Sequence, residues 1–145
     1  MKIKSIYKTC ILFLIGGGVY TLIEIIWRSL RNSTPTHWSM FVLGGLCFIF
    51  VGAINEFLSW DTPLVLQGLI GTSFILFAEF VFGCILNLVL NLHIWDYSDI
   101  PLNICGQVCL PFAAAWFILA IIAIVLDDYL RYWLFKEEKP HYRWI

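Results

Sequence analysis

Four long apolar runs, residues 10–27, 38–58, 64–90 and 106–126, leave this chain of 145 residues little freedom in how it folds. A helix needs about 20 residues to cross a hydrocarbon layer about 30 Å thick, and each run is close to that length or beyond it. With 61% hydrophobic residues, 13% charged residues and a mean hydropathy of +0.85, the chain cannot hide its apolar surface in a water-soluble core. The predicted fold class is therefore all-α. It is a polytopic membrane protein with four transmembrane helices in one bundle, forming a single domain over residues 1–145 with a tail at 127–145. The lipid bilayer of the plasma membrane is its first partner. A formal net charge of -1 gives no reason to expect nucleic acid.

Amphipathic aromatics mark the ends of the runs. Trp27, Trp38, Trp95 and Tyr97 stand on one side and Tyr7, Trp60, Tyr132 and Trp133 on the other, as headgroup-level belts require. Basic residues set the orientation. Lys2, Lys4 and Lys8 precede the first run and Arg131, Lys136, Lys139 and Arg143 follow the last, which places both termini in the cytoplasm. Loops 28–37 and 91–105 then face outward. The basic, apolar start resembles a signal peptide, but Glu24 and Trp27 stand where a small-residue cleavage site would be needed, so it reads as a retained first helix. Ile15, Gly16 and Glu24 match Ile70, Gly71 and Glu79 at a constant offset, which would suit a parallel two-hairpin repeat.

Polar side chains inside the runs carry the functional signal, because an ionisable group in hydrocarbon must face the protein interior, pair, or serve a site. Glu24 lies about 21 Å along a helix that starts at Cys10, in the outer third of the layer, and Arg28 is one turn beyond. Glu79, Gly83, Asn87 and Asn91 recur every four residues along the third run. Glu79 has no Lys or Arg within one turn on its own helix. Asn103 and Gln107 are expected one turn apart at the outer start of the fourth helix, with His37 at the start of the second. These positions predict an outward-facing polar pocket roofed by Trp95, Asp96 and Tyr97. Its candidate substrate- or ion-binding residues are Glu24, Arg28, His37, Glu79, Asn87, Asp96, Asn103 and Gln107.

Each of these residues also has a structural reading. Glu24 and Arg28 at spacing four can pair, amides in membrane helices join helices by hydrogen bonds, and a His at a loop–helix junction can cap the helix. Asp127, Asp128 and Arg131, at the inner end of the last helix with spacings of four and three, read as a cytoplasmic ion pair that anchors the tail, and Asn55, Glu56 and Asp61 as boundary residues. The five cysteines are scattered through apolar helices, where a free thiol acts as a small hydrophobe. Cys105 and Cys109, one helical turn apart, suit neither a disulfide nor a metal site, so neither a metal nor a cofactor is expected. Gly16, Gly17, Gly18, Gly44, Gly45 and Gly52 permit close helix packing. Phosphate-loop, HExxH and GxSxG patterns are lacking, so the chain is not expected to be an ATPase, and no catalytic residue can be assigned.

The segments GGGVYTLIEIIWR (16–28), THWSMFVLGGLCF (36–48), AEFVFGCILN (78–87), IWDYSDIPLNICGQVCLPF (94–112) and DDYLRYWLFKEEKPHY (127–142) carry a wider resemblance. Through nearly its whole length the chain resembles the ABC-transporter type IV, or CmpB-like, family of small bacterial membrane proteins. Against that family, residues 30–35 are a small insertion. The resemblance implies a transporter or the membrane subunit of one, either as a homo-oligomer or with a separate ATPase subunit. The inner loop, residues 59–63, is too short to couple to an ATPase, which leaves the tail after Arg131 as the coupling surface. Two other readings stand beside transport. One is an intramembrane enzyme acting on a lipid headgroup, with Glu79 or Glu24 as general base and Arg28 or His37 holding a phosphate. The other is a structural or regulatory subunit with no site of its own.

Overall fold

The computed structural model describes residues 2–145, with side chains from Ser5 onward. Lys2 and Lys4, which enter the orientation argument, lie outside the described side chains. Four helices are long and apolar enough to cross a membrane: Ser5–Leu30, Trp38–Phe57, Leu64–Val89 and Leu110–Phe135. Contacts divide the chain into two compact units, residues 1–49 and 50–145.

The first unit is a helical hairpin of α1 (Lys2–Leu30) and the start of α2 (Trp38–Gly52). Glycines on each helix receive aromatic side chains of the other. A Cβ at Gly16 would lie 2.3 Å from Phe48, at Gly17 2.7 Å from the Phe41 carbonyl, at Gly44 2.5 Å from Tyr20 and at Gly45 2.6 Å from Phe13. Phe13 and Phe41 meet edge to face at 5.8 Å. Between membrane helices little hydrophobic force remains, so this close interdigitation supplies the adhesion.

In the second unit α2 ends at Gly52 and a short helix, α3 (Ile54–Phe57), follows the break at Ala53. Pro63 precedes α4 (Leu64–Gly83), whose last turns continue as a π-helical segment, Cys84–Val89. Asn91 and His93, both at positive φ, end it. Residues 90–109 form a loop closed by a two-residue hairpin, β1 (Asn103–Ile104) against β2 (Val108–Cys109), and α5 (Leu110–Phe135) returns. Gly68 lies against Phe117 and Ile121, Gly71 against Ala120, and Phe50 stacks on Phe74 at 3.6 Å.

Boundaries differ from the sequence expectation in the first span, which runs Ser5–Leu30 rather than 10–27, and at both ends of the fourth. The fourth span begins at Leu110 rather than at residue 106, because Cys105 and Gly106 take positive φ and Pro111 sets the helix start. Asn103 and Gln107 therefore sit on the hairpin and its turn, not one helical turn apart. At its other end α5 runs on to Phe135, past the expected tail boundary at 127, so Asp127, Asp128 and Arg131 lie at the inner end of the helix as their spacing predicts, and the tail begins only at Lys136. Lys136, in the left-handed conformation, ends it. The last residues fold back, and the Arg143 carbonyl accepts from the Leu64 N–H at 2.7 Å, serving one of the orphan donors of α4. His141 stacks on Trp60 at 5.0 Å.

Candidate functional site

In the first unit the polar group is local. Glu24 is buried; its Oε1 accepts from Arg28 Nε at 2.7 Å and its Oε2 from Thr36 Oγ1 at 2.6 Å. Arg28 Nη1 donates in turn to Thr34, at 3.1 Å to Oγ1 and 3.3 Å to the carbonyl. The loop that looked like an insertion thus curls over the ion pair and closes it. His37 Nδ1 lies 2.7 Å from Ser39 Oγ and also accepts from the Ser39 N–H, a cap on its own helix. Arg31 lies over the Trp27 ring at 4.7 Å.

The second unit gathers Glu79, Asn87 and Gln107 with the loop. Glu79 is 3% exposed on α4, 15 residues beyond its first residue, Leu64. Its Oε2 accepts from Trp116 Nε1 of α5 at 2.9 Å and its Oε1 from the Tyr97 hydroxyl at 3.2 Å. Tyr97 is itself braced by stacking on Phe112 at 4.9 Å. One turn on, Gly83 has no side chain, and that is what admits Gln107: a Cβ there would lie 2.5 Å from Gln107 Oε1. The π-helical segment then presents Asn87, whose Nδ2 donates to Gln107 Oε1 at 2.8 Å while its Oδ1 accepts from the Ile94 N–H at 2.7 Å. Such π segments recur at functional sites. Trp95 Nε1 donates to the Gln107 carbonyl at 3.0 Å, which ties the loop to itself, and Tyr97, Ile94 and the Gln107 side chain fix it beside the carboxylate.

Asp96 and Asn103 serve the loop itself. Asp96 is exposed, and its Oδ1 accepts from Ser98 Oγ at 2.5 Å and from the Ser98 N–H at 2.8 Å, which holds its carboxyl below the usual carboxylate range. Asn103 donates to the Ile100 carbonyl at 2.8 Å and accepts from the Gly106 N–H at 2.9 Å. Gly106 is required twice over, by its φ of +68° and by Asp96 and Ser98 packed on it.

A third polar group lies where α3, α5 and the tail meet. Asp127 and Asp128 are 0% and 4% exposed, with Arg131 Nε bonded to Asp127 Oδ2. Arg131 Nη1 also lies 3.5 Å from Glu56 and 3.9 Å from Glu137. Asp128 Oδ2 accepts from Asn55 Nδ2 at 2.7 Å and from the Tyr142 hydroxyl at 2.9 Å. Burial and the adjacent Asp128 carboxylate push the Tyr142 phenol up.

Trp116, Asn55 and Tyr142 were not singled out as partners from the sequence. For Trp116 a signal existed: an indole N–H placed well inside a span, away from the belts, needs an acceptor there. Nothing in local spacing points to Asn55 or Tyr142, which reach Asp128 from distant parts of the chain.

Four apolar spans with ionisable side chains buried among them define a multi-pass membrane protein. Within that class, residues 11–143 match the family described as "Putative ABC-transporter type IV", and the chain belongs to that family. No curated protein and no solved structure matches it.

Proposed function

We propose that the protein is a plasma-membrane transport subunit in which Glu79 receives a cationic or hydrogen-bond-donating group of the transported species. One observation carries this reading: among the contacts of the buried Glu79 carboxylate, those from Trp116 and Tyr97 are of unequal strength. The bond from Trp116, on the rigid α5, is of ordinary length, whereas the 3.2 Å contact from the loop residue Tyr97 is long for a hydroxyl donor. An incoming donor displaces the phenol more readily than the indole. Asn87, Gln107 and Trp95 hold the loop in register while Tyr97 exchanges. Glu24 and Arg28 take a supporting part, since both carboxylate oxygens of Glu24 are engaged by its own hairpin.

The family supports a transport context and, with it, a separate ATPase subunit as partner. The tail after Phe135 is the surface we assign to that contact. Native mass spectrometry of the gently extracted protein tests both points. An ATPase subunit that co-purifies with wild type, and a small ligand retained by wild type but lost in Glu79→Gln, is the expected result. Equal retention by folded Glu79→Gln removes Glu79 from the transport site.

A further inference from the structure

The junction of α3, α5 and the tail holds acceptors that its own side chains do not use. Asp127 Oδ1 and Asn55 Oδ1 are buried and accept no hydrogen bond from the described residues. The orientation of Asn55 is set by its Nδ2, which donates to Asp128 Oδ2 at 2.7 Å, so its Oδ1 is an acceptor. Two orphan acceptors call for a cation or a donor.

Charge favours the cation. Asp127 and Asp128 are buried together against the single buried guanidinium of Arg131, and Glu56 and Glu137, which also face Arg131, add negative charge. Tyr142 is neutral and already donates to Asp128. The backbone points the same way. Helix α2 is interrupted at Ala53, whose N–H donates to the Phe50 carbonyl three residues back, at 3.2 Å. The Asp127 carboxylate lies directly on this break, since a Cβ at Gly52 would be 2.5 Å from each of its oxygens. A carboxylate at the C-terminal end of a helix meets the negative end of the helix dipole, and Arg131 serves only its other oxygen. Interrupted membrane helices beside carboxylates are how ion sites are assembled in transporters.

We infer that Asp127 Oδ1 and Asn55 Oδ1, beside the Gly52–Ala53 break, bind a small monovalent cation of sodium size. A single charge suffices, because the buried pair of carboxylates exceeds the guanidinium by one, while Glu56 and Glu137, 45% and 29% exposed, are screened by solvent. No group of three or more His, Cys, Asp and Glu side chains suits a metal ion among the described residues, which argues against a divalent ion. The site is independent of the role given to Glu79.

Binding of radiolabelled Na⁺ to the purified full-length protein in detergent, with choline chloride holding ionic strength constant, tests it. Wild type is expected to bind saturably. Asn55→Ala is expected to bind at least about tenfold more weakly, Asp127→Asn to lose binding, and Glu79→Gln to keep it. Should Asp127→Asn fail to fold, the half-buried Asn55→Ala decides alone. The inference is overturned if wild type shows no saturable Na⁺ binding, if Asn55→Ala binds as wild type does, or if Glu79→Gln alone abolishes binding. Stabilisation by acid without any Na⁺ effect would identify a proton as the occupant and overturn it equally.

Discussion

A carboxylate in a membrane helix is defined by what holds it, and the chain has solved this problem differently at Glu24 and Glu79. Glu24 meets a guanidinium from its own helix and a threonine hydroxyl from its own loop, so its partner set closes within one hairpin. Arg28→Ala leaves a buried charge behind and should destabilise the protein by about 3 kcal/mol, whereas Glu24→Gln with Arg28→Met removes both charges and should recover most of that loss. Denaturant unfolding of the two variants in detergent checks this. Glu79 draws its donors from α5 and the loop, and sequence spacing showed only that its partners must come from elsewhere. Burial is what spacing failed to report for Asp127 and Asp128: their charges look interfacial along the helix, and it is Gly52 lying against Asp127, with Asn55 and Tyr142 bonded to Asp128, that makes them interior. Two titrations carry opposite signs. The Asp96 carboxyl is depressed by its Ser98 bonds, so its contribution is present above about pH 4 and is lost as pH falls through the lowered value. Nuclear magnetic resonance titration should show the Asp96 pKa rising towards its ordinary value in Ser98→Ala. The Tyr142 phenol is raised, so its contribution is present below about pH 10 and is lost as pH climbs through the raised value.

Among the elements, the spans were legible because length and continuous apolarity alone report them, and the glycines of the first two helices were legible as packing sites, except that Gly18 packs on nothing among the described residues. Which aromatic fills which glycine was not, since that depends on the register of two helices and not on either sequence. The interlock makes a sharp prediction with a built-in control. Gly16→Ala and Gly44→Ala introduce Cβ atoms at 2.3 and 2.5 Å from Phe48 and Tyr20, and each should cost about 1–3 kcal/mol through overpacking. Gly18, two residues beyond Gly16 and on no packed face, has nothing among the described residues within 4 Å of its Cβ position. Gly18→Ala should therefore be neutral or stabilising by up to about 1 kcal/mol, from helix propensity. Thermal unfolding of the three variants side by side separates close packing from a general intolerance of glycine replacement. The start of α5 escaped sequence reading for a related reason. Its preceding turn depends on Cys105 and Gly106 at positive φ, and Cys105 is not a residue that advertises such a turn.

At the scale of the whole molecule, function turns on which side of the membrane the 90–109 loop faces, because that loop carries Tyr97 to Glu79. An even number of spans would put the termini on one side, and Lys8, Arg131, Lys136, Lys139 and Arg143 beside them favour the cytoplasm, so we predict that the loop faces out and that the proposed site receives its occupant from outside. The chain supplies its own reporter. Cys105 is a free, exposed thiol at the hairpin turn of that loop, whereas Cys10, also exposed, lies within a membrane span. A membrane-impermeant maleimide applied to intact cells should label wild type, fail to label Cys105→Ser, and fail to label a Cys105→Ser protein carrying a cysteine in place of Lys139 until the cells are permeabilised. The reverse pattern would turn the protein over. Glu79 would then open to the cytoplasm, the tail after Phe135 would face outward, and an ATPase could no longer meet the chain at that tail.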